Sequence, residues 1–129
     1  MSLAKVCTLC IEQGTSFYKE FQWLIKNTDG KFTPVNITDY HVRCQIRYRA
    51  SSNIVMQNVP GKIINGTQGT FAIMLNPTQT SNLPTSGKSY KDREIYVFDI
   101  ELVAAGLKNI YRIVNGFIKV SPEVTKNEL

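Results

Sequence analysis

One histidine, three cysteines and one tryptophan in 129 residues leave little from which to build a catalytic or metal centre. Cys7 and Cys10 form a Cys-x-x-Cys pair. A zinc site would need a second such pair or added histidines, and His41 is the sole histidine. A redox pair sits at the start of a helix, where the dipole lowers the thiol pKa. Here the surroundings read as a strand, and residues three apart on a strand point to opposite faces. An odd number of cysteines also rules out a complete disulfide framework within one chain. The expected state is buried, reduced thiols.

A nucleophile needs a base within hydrogen-bond reach. His41 falls among Arg43, Arg47 and Arg49 on an outward parity, as a surface residue would. Asp99 and Glu101 share a parity on a late strand, a spacing common to any half-exposed strand. Asp92 and Glu94 flank Arg93 and suggest surface pairing. No glycine precedes a helical pattern, so there is no phosphate loop. The sequence therefore nominates no catalytic, cofactor-binding or metal-ligating residue, and the expectation is a protein that is not an enzyme and takes no cofactor.

Long apolar runs are missing too. No stretch approaches the ~20 residues needed to cross a bilayer. The stretch from Val6 to Ile11 is short, is interrupted by Thr8, and reads as a first strand rather than a leader. Asn36-Ile37-Thr38 and Asn65-Gly66-Thr67 fit the glycosylation pattern, which carries little weight without a leader. The net charge of +5 comes from 15 basic and 10 acidic residues scattered in ones and twos. Nucleic-acid binders show a basic stripe, and the densest group here, His41 to Arg49, is explained by strand alternation. Partners are thus expected to be neither nucleic acid nor membrane.

What is present is period-two alternation in short segments divided by turns. From Tyr40 to Arg49, Val42, Cys44, Ile46 and Tyr48 alternate with His41, Arg43, Gln45, Arg47 and Arg49, giving one core face and one wet cationic face. Phe17, Lys19, Phe21, Trp23 and Ile25 share a parity across 17–26, before an Asp29-Gly30 hairpin turn. Strands are expected at 62–64 and 70–75 around a tight Asn65-Gly66 hairpin, and at 95–103, 110–114 and 117–120, with Asn115-Gly116 as a bulge or tight turn between the last two. Asn76 and Pro77 predict a single capped helical turn. A polar loop follows over 84–92. The predicted core is Val42, Cys44, Ile46, Tyr48, Phe71, Ile73, Tyr96, Phe98 and Ile100. Seven to nine strands with turn signals every 8–12 residues predict an all-β chain, an antiparallel β-sandwich over 1–120 with a polar tail over 121–129.

Several pieces occur in a telling order: Glu12-Gln13-Gly14-Thr15-Ser16-Phe17, Trp23, Asp29-Gly30, the block TDYHVRCQIR from Thr38 to Arg47, Tyr96 to Leu102, and the closing GFIKVSPEVT from Gly116 to Thr125. In that order they resemble a family of small immunoglobulin-like β-sandwich virion structural proteins of tailed bacteriophages and prophages, T4-like and related phages among them. The likeness runs from about Ile11 to Thr125; Cys10, Cys44 and a longer loop over 82–94 set this chain apart. The resemblance implies a non-enzymatic particle component, made in the host bacterial cytoplasm and located in the virion. It would decorate the capsid, collar the neck, or join the baseplate and tail fibres. Its implied partners are other virion proteins, in a multi-copy or homo-oligomeric arrangement. The alternative is a carbohydrate- or host-surface-binding sandwich, for which Trp23 is the natural stacking residue.

Overall fold

The computed structural model describes residues 5–85 and 94–125. Most of the polar loop over 84–92, the Asp92–Arg93 part of the expected surface pairing, and the end of the tail lie outside the described residues. The alternating segments form β1 (Lys5–Glu12), β2 (Phe17–Gln22), β3 (Leu24–Lys26), β4 (Phe32–Pro34), β5 (His41–Arg47), β6 (Gln57–Asn58), β7 (Gly61–Asn65), β8 (Thr70–Leu75), β9 (Glu94–Val103) and β10 (Ile110–Ser121). One sheet has the order β1-β10-β9-β5-β6 and a second has β2-β8-β7; β3 and β4 make a separate hairpin. Only β1 against β10 is parallel among these pairings.

This order defines an immunoglobulin-like sandwich. In that fold's lettering, β10, β9 and β5 are G, F and C, while β2, β8 and β7 are B, E and D. Tyr96 near the start of β9 donates its hydroxyl hydrogen bond to the Pro84 carbonyl upstream, the corner contact of such sandwiches. No disulfide joins the sheets. Phe98, two residues after Tyr96, is buried, and across the core Phe21 of β2 stacks on Phe71 of β8 at 5.6 Å. Inward residues of both sheets, including Ile11, Ile46, Phe71, Ile73, Tyr96, Ile100 and Ile118, meet in one apolar cluster.

The helical turn α1 (Pro77–Ser81) is built as its residues predict. Asn76 Oδ1 accepts from the Gln79 N–H and Gln79 Oε1 accepts from the Asn76 N–H, both at 2.8 Å. Four expectations change. The segment over 17–26 is not one strand. Opposite it, β8 begins at Thr70, so past Gln22 the Trp23 N–H bonds the Gly69 carbonyl instead and the chain leaves the sheet. Ile25 consequently stands exposed on the β3–β4 hairpin. Asn65-Gly66 does not make a two-residue hairpin. Asn65 caps a 3-10 turn over Gly66–Gln68, closed by Gly69 at φ 68°, where a Cβ would lie 2.7 Å from the Trp23 carbonyl oxygen. Residues 110–120 lie in one strand rather than two, with its irregularity between Arg112 and Val114. Finally, Tyr48 is 44% exposed because β5 ends at Arg47; its ring rests on Tyr96 at 4.9 Å. Val42 is half-buried against the core, and the other seven predicted core residues are buried.

Candidate functional site

The outer face of the five-stranded sheet gathers an ion pair and a side-chain hydrogen-bond network. Register alone lays it out in rows. Arg43, Glu101 and Arg112 form one row across β5, β9 and β10; Gln45, Asp99 and Asn115 form the next; Arg47, Val97 and Phe117 the third. The 50–53 turn rises at one side, so the rows floor a groove of about 880 Å³.

The face is wet, as its alternation predicts, but it is not simply cationic. Arg43 donates from Nε to Glu101 Oε1 at 2.7 Å, and its Nη2 lies 2.7 Å from the same oxygen. Arg47 donates to Gln45 Oε1 at 2.9 Å and to the Ser52 carbonyl, tying the 50–53 turn to the sheet. Gln45 in turn donates to Asn58 Oδ1 at 3.1 Å. Burial, and then the Glu101 charge, raise the Asp99 carboxyl pKa against the opposing pull of Arg112, Arg43 and Arg47. Asn115 Oδ1 is buried without a hydrogen-bond donor among the described residues. Apolar side chains interleave with this network: Val6 is 71% exposed, Ile95 52% and Phe117 48%. Asp99 and Glu101 do share the outward face, and Glu101 is engaged by Arg43. Exposed apolar groups among fixed charges suit a surface that another molecule covers.

Elsewhere the candidates separate. The expectation of buried thiols holds for Cys44 alone: Cys7 is half-buried toward the core and Cys10 is exposed on the other face, because a three-residue spacing on a strand sends the two side chains to opposite sides. Burial raises the Cys7 thiol and pushes Cys44 up to about 12. Among the described residues no three His, Cys, Asp or Glu side chains gather as a metal cluster. His41 is exposed at the start of β5. Both glycosylation-like triplets are turn devices here. Asn36 Oδ1 accepts from the Thr38 N–H at 3.0 Å, and Asn65 Oδ1 accepts from Thr67 Oγ1 at 3.0 Å.

Trp23 is half-buried rather than enclosed, packed at 5.2 Å on Tyr111, which also lies 6.4 Å from Tyr40. Sequence reasoning did not bring Tyr111 to this cluster, because its position against Trp23 follows from the sheet-to-sheet packing. The beginning of the expected tail is tied down: the Glu123 N–H donates to Gln13 Oε1 at 3.0 Å, and Pro122 and Glu123 are half-buried.

No family model matches this chain, and no curated protein matches it. Among solved structures, the chain is similar to one from a photo-crosslinking study of multimeric cell-adhesive interactions of VGSC beta subunits. That match has 12% identity and a TM-score of 0.39, covering 93% of this chain and 95% of the other. At that score the likeness carries no argument; the immunoglobulin-like assignment stands on strand order and on the Tyr96 corner.

Proposed function

We propose that this chain is a non-enzymatic module that works by binding other proteins, and that it serves as a structural component of a tailed-bacteriophage particle. The observation that carries the binding role is the outer face of the five-stranded sheet. There Val6, Ile95 and Phe117 stand exposed beside the Arg43–Glu101 pair and the Arg47 network. Such a mixture of apolar contact area and oriented polar groups is what protein interfaces use. The placement in a virion, as capsid decoration, neck or collar part, or baseplate and fibre attachment, rests on the ordered sequence blocks from Glu12 to Thr125. Repetition of a module around a particle also makes individually modest contacts effective.

The second reading, a carbohydrate- or host-surface-binding module, draws on the Trp23–Tyr111–Tyr40 cluster, since sugar rings stack on aromatic faces. The two readings part in one experiment. Phage particles purified from the host strain that carries this gene are analysed by mass spectrometry, with wild-type chain and with Phe117→Asp. The virion reading expects the wild-type chain in multiple copies and at least about tenfold less of the variant, with an unchanged melting curve for the isolated variant. Absence of the wild-type chain from particles refutes it.

A further inference from the structure

Opposite chemistries stand side by side along the middle of the larger sheet. On β9, Glu101, Asp99, Val97 and Ile95 share the outer face, so its charges there are acids. Their cross-strand neighbours on β10 are Arg112, Asn115, Phe117 and Lys119, so its charges are bases. The internal contacts leave much of this chemistry unused. Arg43 engages only Oε1 of Glu101. Arg112 acts on Asp99 through its charge, and among the described residues it makes no hydrogen bond or close ion pair. The Asp99 carboxyl and the Asn115 side-chain amide hold no hydrogen bond among the described residues either. Phe117 stands 48% exposed, and Val6, beside Asn115 on β1, 71%.

We propose that this face receives the same face of a second copy, about a two-fold axis parallel to the strands and lying between β9 and β10. This rests on the reading of the chain as a protein-contact module and adds the partner and the register. A half-turn about that axis keeps each row at its height and exchanges β9 with β10. Glu101 then lies over Arg112 of the second copy, Asp99 over Asn115, and Val97 over Phe117. Each contact occurs twice, so the interface is isologous and closes at a dimer. Facing sheets pack ~10 Å apart, a gap that side chains of these sizes fill from its two sides.

Charge selects both the occupant and the axis. Acids on one strand and bases on its neighbour make the face complementary to itself once the two strands are exchanged. An axis across the strands would instead lay β9 on β9 and β10 on β10, and would set no acid over a base. The same half-turn brings β1 of the second copy over β5. Its exposed Val6 then leaves water against Gln45. The 50–53 turn, held to the sheet by Arg47, walls the groove on that side and becomes a rim beside the incoming strand.

Two single charge reversals test the register. Sedimentation equilibrium of the purified wild-type chain, at up to ~1 mM, should show monomer in exchange with dimer. Arg112→Glu and Glu101→Arg each set like charges against each other at both symmetry-related contacts, and each should weaken the dimer at least about tenfold. An equal mixture of the two variants places an acid over a base at both contacts again. It should form a heterodimer, identified by its mass in native mass spectrometry, within about threefold of the wild-type affinity. Circular dichroism melts establish that each variant is folded. If Glu101→Arg unfolds beside Arg43, Glu101→Gln replaces it, and its mixture with Arg112→Glu should associate at least about tenfold more tightly than Arg112→Glu with itself. The proposal is overturned by a wild-type chain that stays monomeric, by either reversal dimerising as wild type does, or by a mixture that binds no more tightly than its components. A monomeric chain that is present in particles leaves the virion reading standing. A dimeric chain that is absent from particles removes that reading and leaves the dimer.

Discussion

Cys44 and Tyr96 are acids that the fold prefers neutral, for related reasons. Burial first, and then the Asp99 charge, push the Cys44 thiol up to about 12. Burial, followed by the hydrogen bond with Tyr48, also raises the Tyr96 phenol, whose proton serves the Pro84 carbonyl. A raised folded-state pKa in an acid means that the folded protein holds its proton longer than the unfolded chain does. Stability is therefore complete below about pH 9, where the unfolded thiol begins to ionise, and is lost as pH climbs toward 12. For Cys44 the ceiling of that loss is ~4 kcal/mol at one decade per 1.36 kcal/mol. Urea midpoints measured from pH 8 to pH 11 should fall steadily in wild type and less steeply in Cys44→Val. Equal slopes in the two proteins would remove Cys44 from the explanation.

At the scale of elements, the contact that completes the larger sheet is the parallel approach of β1 to β10. It depends on Gly116, whose φ of 151° and lack of a side chain let the Cys7 carbonyl come in where a Cβ would collide with it. The neighbour that would have to yield is backbone, so relief requires the strands to part. Gly116→Ala should accordingly release β1 while leaving β5, β9 and β10 paired. The measurement is amide exchange: the Leu9 and Ile11 amides, directed at β10, should exchange at least about tenfold faster, with β9 amides little changed. Unaltered protection at Leu9 and Ile11 would mean that β1 and β10 can adjust around the methyl group.

For the whole molecule the question is whether the two sheets are one stability unit. Ile46 from the larger sheet and Phe71 from the smaller are both fully buried in a single cluster with Ile73, Tyr96 and Ile100. A shared core couples the sheets, because a cavity opened from one side strips contacts from the other. Ile46→Ala should lower the unfolding free energy by ~2–5 kcal/mol. The loss should read the same by tryptophan fluorescence, which reports Trp23 near the smaller sheet, as by far-ultraviolet circular dichroism, which reports all strands. Separate transitions by the two probes would show that the layers unfold apart.

Much of this architecture is legible in local patterns. The alternation from Tyr40 to Arg47 sends Cys44 and Ile46 inward and Arg43 outward, and Asn76-Pro77 specifies its own capped turn, because each of these depends on neighbours only a few residues away. A β-sandwich could be expected on the same grounds, since a period of two with regular turns leaves few other ways to bury one face of each strand, whereas its immunoglobulin-like character was implied by the resemblance alone and is seen in the strand order. Long-range partners were beyond such patterns. The 17–26 segment alternates throughout, yet it leaves its sheet at Trp23 because β8 offers no residue beyond Thr70 to pair with. Asn115-Gly116 carries a turn signature, yet lies within a continuous strand because β1 arrives against it from the far end of the chain. The candidate face shows the same division. Outward parity placed Arg43, Asp99 and Glu101 in solvent, but only the register of β5 on β9 joined Arg43 to Glu101, and only packing between the sheets set Tyr111 on Trp23.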